Sequence, residues 1–228
     1  MNRLYERLLL LVLFFVLLIV IWCMYDNWYV YSHAADGRKL MLYKPGIAGA
    51  VSPEDSPISD DMAAWLTIDG TGIDYPVMQS SDNIRYLNTD PFGSYSLSGS
   101  IFLDCRNAAD FSDPYSLVYG HHMEHGRMFG ALDDFLSEAY LKQHSKGTLI
   151  IGKKAEKTYS LEVFAAMRAN AANKTIFNLS DPDALRTELK NRAAVYTEDK
   201  DARILGLSTC AEGDAVSRIL VFCYLTES

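Results

Sequence analysis

A cysteine, a histidine and an arginine at the ends of apolar runs could together carry out acyl transfer. Cys210 ends the run Leu207-Ser208-Thr209-Cys210 and opens into a loop, which would bring its sulfur to the protein surface. The alternative is a small buried hydrophobic residue, the usual fate of a free cysteine. Arg218 begins the next apolar run. A hairpin between the two runs would therefore place Cys210 and Arg218 side by side at its mouth.

His121 supplies the third group, because it follows the apolar run 116–120. A cysteine nucleophile reacts as a thiolate and needs a neighbouring base or acid, since the leaving amine must receive a proton. An arginine near both would donate hydrogen bonds to the oxyanion of the tetrahedral intermediate. Histidine and arginine at strand ends also occur as solvated surface residues. The sequence predicts this catalytic group but leaves open whether its three members meet in space.

Two other kinds of site are not favoured by the spacing. The cluster of His121, His122, Glu124 and His125 does not match H-E-x-x-H, and adjacent histidines on a strand point to opposite faces. No metal site is therefore predicted. The segment 206–210 resembles a nucleophile elbow, but it lacks the closing glycine and the flanking α/β pattern, so a serine hydrolase is not favoured either.

The N-terminus has the composition of a membrane-spanning helix. Residues 8–24 carry no charge, a length that just crosses a bilayer, and Arg3 and Arg7 before them predict a cytoplasmic N-terminus. We expect a cytoplasmic segment 1–7 and a transmembrane anchor 8–27. The alternative is a signal peptide cleaved near Ala34, but the apolar run is longer than the ~7–15 residues of such a signal. Either way the working domain lies outside the cytoplasm.

Three cysteines follow the apolar segment, namely Cys105, Cys210 and Cys223, while Cys23 lies inside it. An odd number cannot be fully paired within the domain, so at least one external thiol is free. The formal net charge of −8 comes without a basic stripe, which argues against a nucleic-acid partner.

The remainder divides into a connector, 28–59, and a domain, 60–228, of many short strands. The turn Asp69-Gly70-Thr71-Gly72 joins a predicted hairpin. Helices are expected at 128–136, 137–143 and 184–193, the last started by Asp181-Pro182-Asp183. Many strands with few helices favour a mainly β fold that forms a closed or nearly closed barrel.

Several motifs in order make the chain resemble the class B sortases of Gram-positive bacteria. The resemblance implies a closed eight-stranded β-barrel with a few peripheral helices, one of them (181–193) between the sixth and seventh strands, and no metal or cofactor. The segments that carry it are Trp65-Leu66, Ile73-Asp74-Tyr75-Pro76-Val77-Met78-Gln79, Ser80-Ser81-Asp82-Asn83-Ile84-Arg85-Tyr86-Leu87, Ser98-Gly99-Ser100-Ile101-Phe102-Leu103-Asp104, Val118-Tyr119-Gly120-His121-His122-Met123, and Leu207-Ser208-Thr209-Cys210 with Arg218.

The same resemblance implies roles for individual residues. Cys210 would attack a threonine carbonyl in a C-terminal sorting signal of NPxTx type, His121 would transfer protons and Arg218 would hold the oxyanion. The positions expected to contact substrate are Asn83, Leu87, Ser208, Thr209 and Glu212.

The implied partners are a surface protein bearing the sorting signal and an amine acceptor, from either a peptidoglycan precursor or a pilin lysine. A pilin polymerase is the alternative within this chemistry. A cysteine peptidase that uses water and a catalytically idle, membrane-tethered binding domain are the alternatives outside it.

Overall fold

The computed structural model describes residues 3–33, 37–211 and 214–227, without the side chains of residues 4, 27, 29–33, 37–38, 210–211 and 214–215. Helix α1 runs from Arg3 to His33. Within it, Tyr5–Asp26 is the one stretch of the described chain that is long and apolar enough to cross a membrane. A four-residue helix α2, Gly37–Leu40, and a 3₁₀ helix, Met41–Tyr43, follow.

The strands of the domain are β1 Met62–Ile68, β2 Asp74–Met78, β3 Ile101–Leu103, β4 Tyr115–Tyr119, β5 Lys146–Ile151, β6 Lys157–Asn170, β7 Val195–Tyr196, β8 Arg203–Ala211 and β9 Asp214–Glu227.

Eight of these strands close into a barrel. Hydrogen bonds join them in the order β5-β1-β2-β3-β4-β8-β9-β6, and a further β5–β6 pairing closes the ring. Neighbours are antiparallel except for β2–β3 and β4–β8, which are parallel. The two-residue strand β7 extends the sheet beside β6.

Alternation along the strands separates an inner from an outer apolar layer. In β8, Leu205 and Leu207 belong to the main core, whereas Ile204 belongs to a second cluster. That second cluster is covered by helix α4, Pro182–Arg192, through Leu185 and Leu189. Because successive side chains of a strand point to opposite faces, both layers can be built from the same strands.

The predicted helices appear with one difference. Helix α4 begins at the expected cap, where the Asp181 carboxylate accepts a hydrogen bond from Ala184 N at 2.9 Å, and it lies in the β6–β7 connection. Helix α3 is Glu138–Gln143. The expected helix at 128–136 is instead a 3₁₀ helix, Gly130–Leu136. Met128 has a φ of 51°, a left-handed conformation that cannot begin an α-helix. Two further short 3₁₀ helices are Arg85–Leu87 and Glu124–Gly126.

Residues 40–58 lie along the barrel. Leu40 and Ile58, near the two ends of this segment, are buried. Between them the Lys44 ammonium donates to Thr67 Oγ1 and to Asp74 Oδ1, each at 2.8 Å. The segment therefore contacts β1 and β2 and fixes the start of the domain against the barrel.

Candidate active site

A cleft of about 310 Å³ opens where β4 and β8 end and β9 begins. The connection between β2 and β3 contributes Asn83, Tyr86, Leu87, Ser98 and Ser100 to its lining. The barrel strands and the residues that follow them contribute Phe102, Tyr119, Gly120, His121, Ser208 and Arg218.

Strand register places His121 and Arg218 at this cleft and pairs the backbone of Cys210 with Arg218. In the β8–β9 hairpin Cys210 pairs directly with Arg218. Strand β4 runs parallel to β8, with Tyr119 beside Ser208, and Gly120 N donates to Ser208 O at 3.1 Å. The position after Gly120 is His121, which lines the cleft together with Arg218. Glu212 lies outside the described residues, as does the Cys210 side chain.

His121 is held by its neighbours along the chain. Phe129 N donates to the His121 carbonyl at 3.1 Å, which folds the following loop back over the end of β4. The Phe129 ring then lies so close to Gly120 that a Cβ on Gly120 would approach the ring to 2.5 Å. Partial burial lowers the pKa of the His121 imidazole, and the electrostatic effect of the neighbouring His122 lowers it further. The neutral form of His121 is therefore favoured, which suits a group that accepts a proton.

Two polar side chains of the β8–β9 hairpin face the cleft. The Ser208 hydroxyl is buried and has no hydrogen-bond partner within the described residues. A buried hydroxyl without a partner costs about 1–3 kcal/mol, so this group is suited to bind an incoming ligand. The half-buried Arg218 adds a positive charge to the same side of the cleft.

Of the other positions expected to contact substrate, some line the cleft and one described position does not. Asn83 and Leu87 line the cleft, and Leu87 is 52% exposed. The Asn83 side-chain oxygen already accepts a hydrogen bond from Cys105 N at 2.8 Å, so Asn83 is fixed before any ligand arrives. Thr209 is buried and is not among the residues that line the cleft.

Several lining residues were missed by the sequence reasoning, chiefly aromatic ones. The Tyr86 hydroxyl donates to Asp61 Oδ2 at 2.7 Å, and burial together with this carboxylate raises the pKa of Tyr86 to about 12. Phe102 packs on Tyr119 with ring centroids 5.4 Å apart. The sequence did offer a signal for Tyr119. It lies two residues before His121, and positions two apart on a strand have their side chains on the same face.

The two other cysteines that follow α1 differ in burial. Cys223 is fully buried, which raises the pKa of its thiol to about 12 and leaves it protonated. Cys105 is half-buried and unpaired. Within the described residues, no group of three His, Cys, Asp or Glu side chains could hold a metal ion.

Comparison with known proteins identifies the family. The sortase domain family model matches residues 66–226, most of the barrel. The chain belongs to the sortase family. Sortase B of Staphylococcus aureus (strain NCTC 8325 / PS 47) is 32% identical over 174 residues, covering 72% of this chain and 70% of that protein. Sortase B of Listeria monocytogenes serovar 1/2a is 35% identical over 162 residues, covering 67% of this chain and 64% of that protein.

Solved structures agree with this assignment to class B sortases. The class B sortase Spy0129 of Streptococcus pyogenes, described as involved in pilus biogenesis, matches with a TM-score of 0.68 and 35% identity, over 74% of this chain and 94% of that one. A sortase B complexed with triglycine matches with a TM-score of 0.64 and 29% identity, over 73% and 81%. The expected closed eight-stranded barrel is confirmed. Sortases are cysteine transpeptidases, so family membership supports that class of enzyme for this chain.

Proposed function

We propose that this class B sortase is a membrane-anchored transpeptidase whose catalytic residues are Cys210, His121 and Arg218. The observation that carries the proposal is the direct strand pairing of Cys210 with Arg218, next to a cleft that His121 lines. Because positions two apart on a strand share a face, position 210 has the same orientation as Ser208, which lines that cleft. A nucleophile, a proton carrier and an oxyanion donor are the three groups that acyl transfer requires.

In the first half of the reaction the Cys210 thiolate attacks the threonine carbonyl of a sorting signal. Arg218 stabilises the negative charge that develops on the carbonyl oxygen. The carbon–nitrogen bond then breaks. His121, which has taken the proton of the Cys210 thiol, gives that proton to the leaving amine, and the threonine remains attached as a thioester. A His121 of lowered pKa gives up a proton readily.

In the second half an amine attacks the thioester. His121 takes a proton from this amine, an amide bond forms, and the carbon–sulfur bond breaks to restore the Cys210 thiolate. The surface protein is then joined to the acceptor. Microscopic reversibility requires the same groups in both halves, with His121 acting first as an acid and then as a base.

The substrate contacts proposed for the cleft are those of an extended peptide. Ser208 offers a buried hydroxyl without a described partner, and Leu87 offers an exposed apolar surface at the cleft edge. Asn83 shapes the opposite side. Thr209 and Glu212 are assigned to the substrate side of Cys210 by resemblance to the family alone.

Two acceptors fit this chemistry. A sortase B has been solved with triglycine, which supports a glycine amine such as that of a cell-wall cross-bridge. The relative Spy0129 is involved in pilus biogenesis, which supports the alternative of a pilin lysine. Both acceptors present a primary amine, so the catalytic residues would act in the same way.

The proposed location is a membrane with the barrel on the outer side. Tyr5–Asp26 is long and apolar enough to span a bilayer, and Arg3 precedes it. Positive residues before a span favour a cytoplasmic N-terminus, which sends the barrel out of the cytoplasm.

Trapping the acyl-enzyme tests the proposal. The detergent-solubilised full chain is incubated with a library of NPxTx-type peptides, and thioester adducts are located by mass spectrometry. We expect an adduct on Cys210 in the native chain, none in Cys210→Ala, and an unchanged adduct in the matched control Cys105→Ala.

The outcomes separate the alternatives. Absence of an adduct with every peptide would favour a binding domain without catalysis. Adducts that only hydrolyse, even when triglycine or a pilin domain is supplied, would indicate a cysteine peptidase. Transfer to one of these two amines identifies the acceptor.

A further inference from the structure

A fully buried carboxylate lies directly behind the cleft. Asp104 follows strand β3 and is 0% exposed. Its two oxygens accept hydrogen bonds from Arg106, with Nε at 2.9 Å from Oδ1 and Nη2 at 2.8 Å from Oδ2. The Arg106 backbone N also donates to Oδ1, at 3.0 Å. This two-pronged geometry is the strongest form of an arginine–carboxylate pair.

The same carboxylate reaches a residue that lines the cleft and adjoins the contact of a second one. Tyr119 donates its hydroxyl to Asp104 Oδ2 at 2.9 Å. The Asn83 side-chain oxygen accepts from Cys105 N at 2.8 Å, and Cys105 lies between Asp104 and the Arg106 backbone N that donates to the Asp104 carboxylate. Asp104 therefore holds a residue of strand β4 directly and fixes the backbone that holds a residue of the β2–β3 connection.

Asp104 is held in its charged form. Burial alone would raise the pKa of this carboxyl, but the hydrogen bonds from Arg106 and Tyr119 outweigh burial and hold the pKa at about 2. Arg106 also donates to the Phe177 carbonyl at 3.4 Å. The ion pair of Asp104 and Arg106 thus joins the β3–β4 connection to the β6–β7 connection.

The ion pair itself is a weak source of stability, because burying the carboxylate costs free energy while the Arg106 side chain is 54% exposed and solvent screens its charge. What such a pair does provide is a fixed geometry for the groups around it. Here those groups include Tyr119, two residues before His121, and the backbone that holds Asn83, and both residues line the cleft.

We propose that Asp104 is a positioning residue that holds Tyr119 and Asn83 in the conformation that binds the acyl-donor peptide. The inference rests on the proposed transpeptidase function and extends it to a residue that does not touch the substrate. Loss of the Asp104 charge loosens one side of the cleft and leaves the catalytic positions Cys210, His121 and Arg218 unchanged.

The test compares KM with kcat for Asp104→Asn in the detergent-solubilised full chain. We expect KM for the sorting peptide to rise about tenfold, as when interactions that hold the bound substrate are lost, with kcat per titrated Cys210 within about threefold of native. A merely structural role would lower the fraction of active enzyme and leave KM unchanged. A fall in kcat alone, with KM unchanged, would also overturn the proposal.

Tyr119→Phe provides a second, independent variant. It removes one donor to Asp104 and leaves the Arg106 pair in place, so it tests the proposal even if Asp104→Asn does not fold. We expect a rise in KM of about threefold or more, and no further rise when it is combined with Asp104→Asn, because both act through one contact. Fully additive effects, or an unchanged KM in Tyr119→Phe, would overturn the proposal.

The matched control is Asp110→Asn, an exposed carboxylate in the connection after β3 that accepts from Ser112 N at 3.0 Å. We expect native KM and kcat in this variant. The proposed function is judged separately, by whether the native chain turns over any peptide. A native chain that turns over peptide while Asp104→Asn keeps its KM refutes only the positioning role.

Discussion

The two sides of the cleft differ in how their polar groups are used. One side, here termed the tethered wall, consists of Asn83, Tyr86, Phe102 and Tyr119. The polar groups of Asn83, Tyr86 and Tyr119 are bonded to Cys105 N, Asp61 and Asp104 respectively. The other side, termed the strand mouth, consists of His121, Ser208 and Arg218, and its Ser208 hydroxyl has no partner among the described residues.

Because of this difference, one side fixes the shape of the cleft, whereas the other side carries the groups that react. A wall whose hydrogen bonds are already made cannot rearrange cheaply, so it can act as a fixed template for a peptide. Groups that must exchange protons or bind an oxyanion have to keep donors and acceptors available for the reaction. We therefore expect substitutions at the catalytic positions of the strand mouth to change turnover, whereas substitutions at Ser208 or at the tethered wall change affinity for the peptide or stability.

The largest effect is expected at the strand mouth from Arg218→Lys. Lysine keeps the positive charge but loses the planar set of donors that arginine presents. We expect the rate of thioester formation to fall about tenfold or more, towards the ~10²–10³-fold loss typical of a missing oxyanion donor. Single-turnover kinetics with a sorting peptide measure this rate.

The control for Arg218→Lys is Arg168→Lys, an exposed arginine on the neighbouring strand β6. It should turn over peptide at the native rate. Equal rates of thioester formation in the native and Arg218→Lys chains would show that Arg218 does not stabilise the oxyanion. The proposed contrast between the two sides of the cleft would then fail.

The folded chain is expected to lose stability in acid because of Asp104, the carboxylate that bonds to Tyr119 of the tethered wall. The pKa of Asp104 is about 2 in the folded chain, below its ordinary 3.8, so the unfolded state binds more protons between these values. The stability from this carboxylate is complete above about pH 4 and is lost as the pH falls towards 2. The loss is on the order of 2 kcal/mol.

Thermal unfolding of native and Asp104→Asn chains at pH 5 and pH 2.5 measures this loss. The native chain should lose more stability than the variant on acidification, while Asp110→Asn should follow the native chain. Parallel curves for native and Asp104→Asn would mean that the Asp104 carboxylate is not held in its charged form.

The smallest effect is expected from Ser208→Ala at the strand mouth. Removing a hydroxyl that binds peptide should raise KM about three- to fivefold, the scale of one neutral hydrogen bond. The variant should be at least as stable as the native chain, because the hydroxyl is buried without a described partner. Ser116→Ala is the matched control, since Ser116 is equally buried and has no hydrogen-bond partner in the described part of the chain, but lies outside the cleft lining. If the KM of Ser208→Ala equals that of the native chain, this hydroxyl does not bind substrate.

The sequence predicted the strand mouth better than the tethered wall. The pairing of Cys210 with Arg218 follows from two adjacent apolar runs joined by a short loop, so a local pattern was enough. Alternating apolar residues and few helices also predicted a barrel, although its closure depends on β5 pairing with both β1 and β6.

The tethered wall could not be predicted because its contacts join distant parts of the chain. Asp104 follows strand β3, Tyr119 ends strand β4, and Asn83 lies in a connection without regular structure. A buried aspartate has no distinguishing pattern in sequence, since it resembles any acidic residue at a strand end. Its role becomes visible only when burial and partners are known.

The docking of residues 40–58 on the barrel limits how far the enzyme can work from the bilayer. Between His33, where α1 ends, and the buried Leu40, the chain can extend at most ~25 Å. With α1 in the proposed membrane, the cleft would search a thin layer above the lipid surface instead of the surrounding volume. A substrate anchored in the same bilayer would then be present at a high effective concentration. Even a cleft with modest affinity for its peptide would be filled in such a layer, whereas the same enzyme released from the membrane would encounter that substrate rarely.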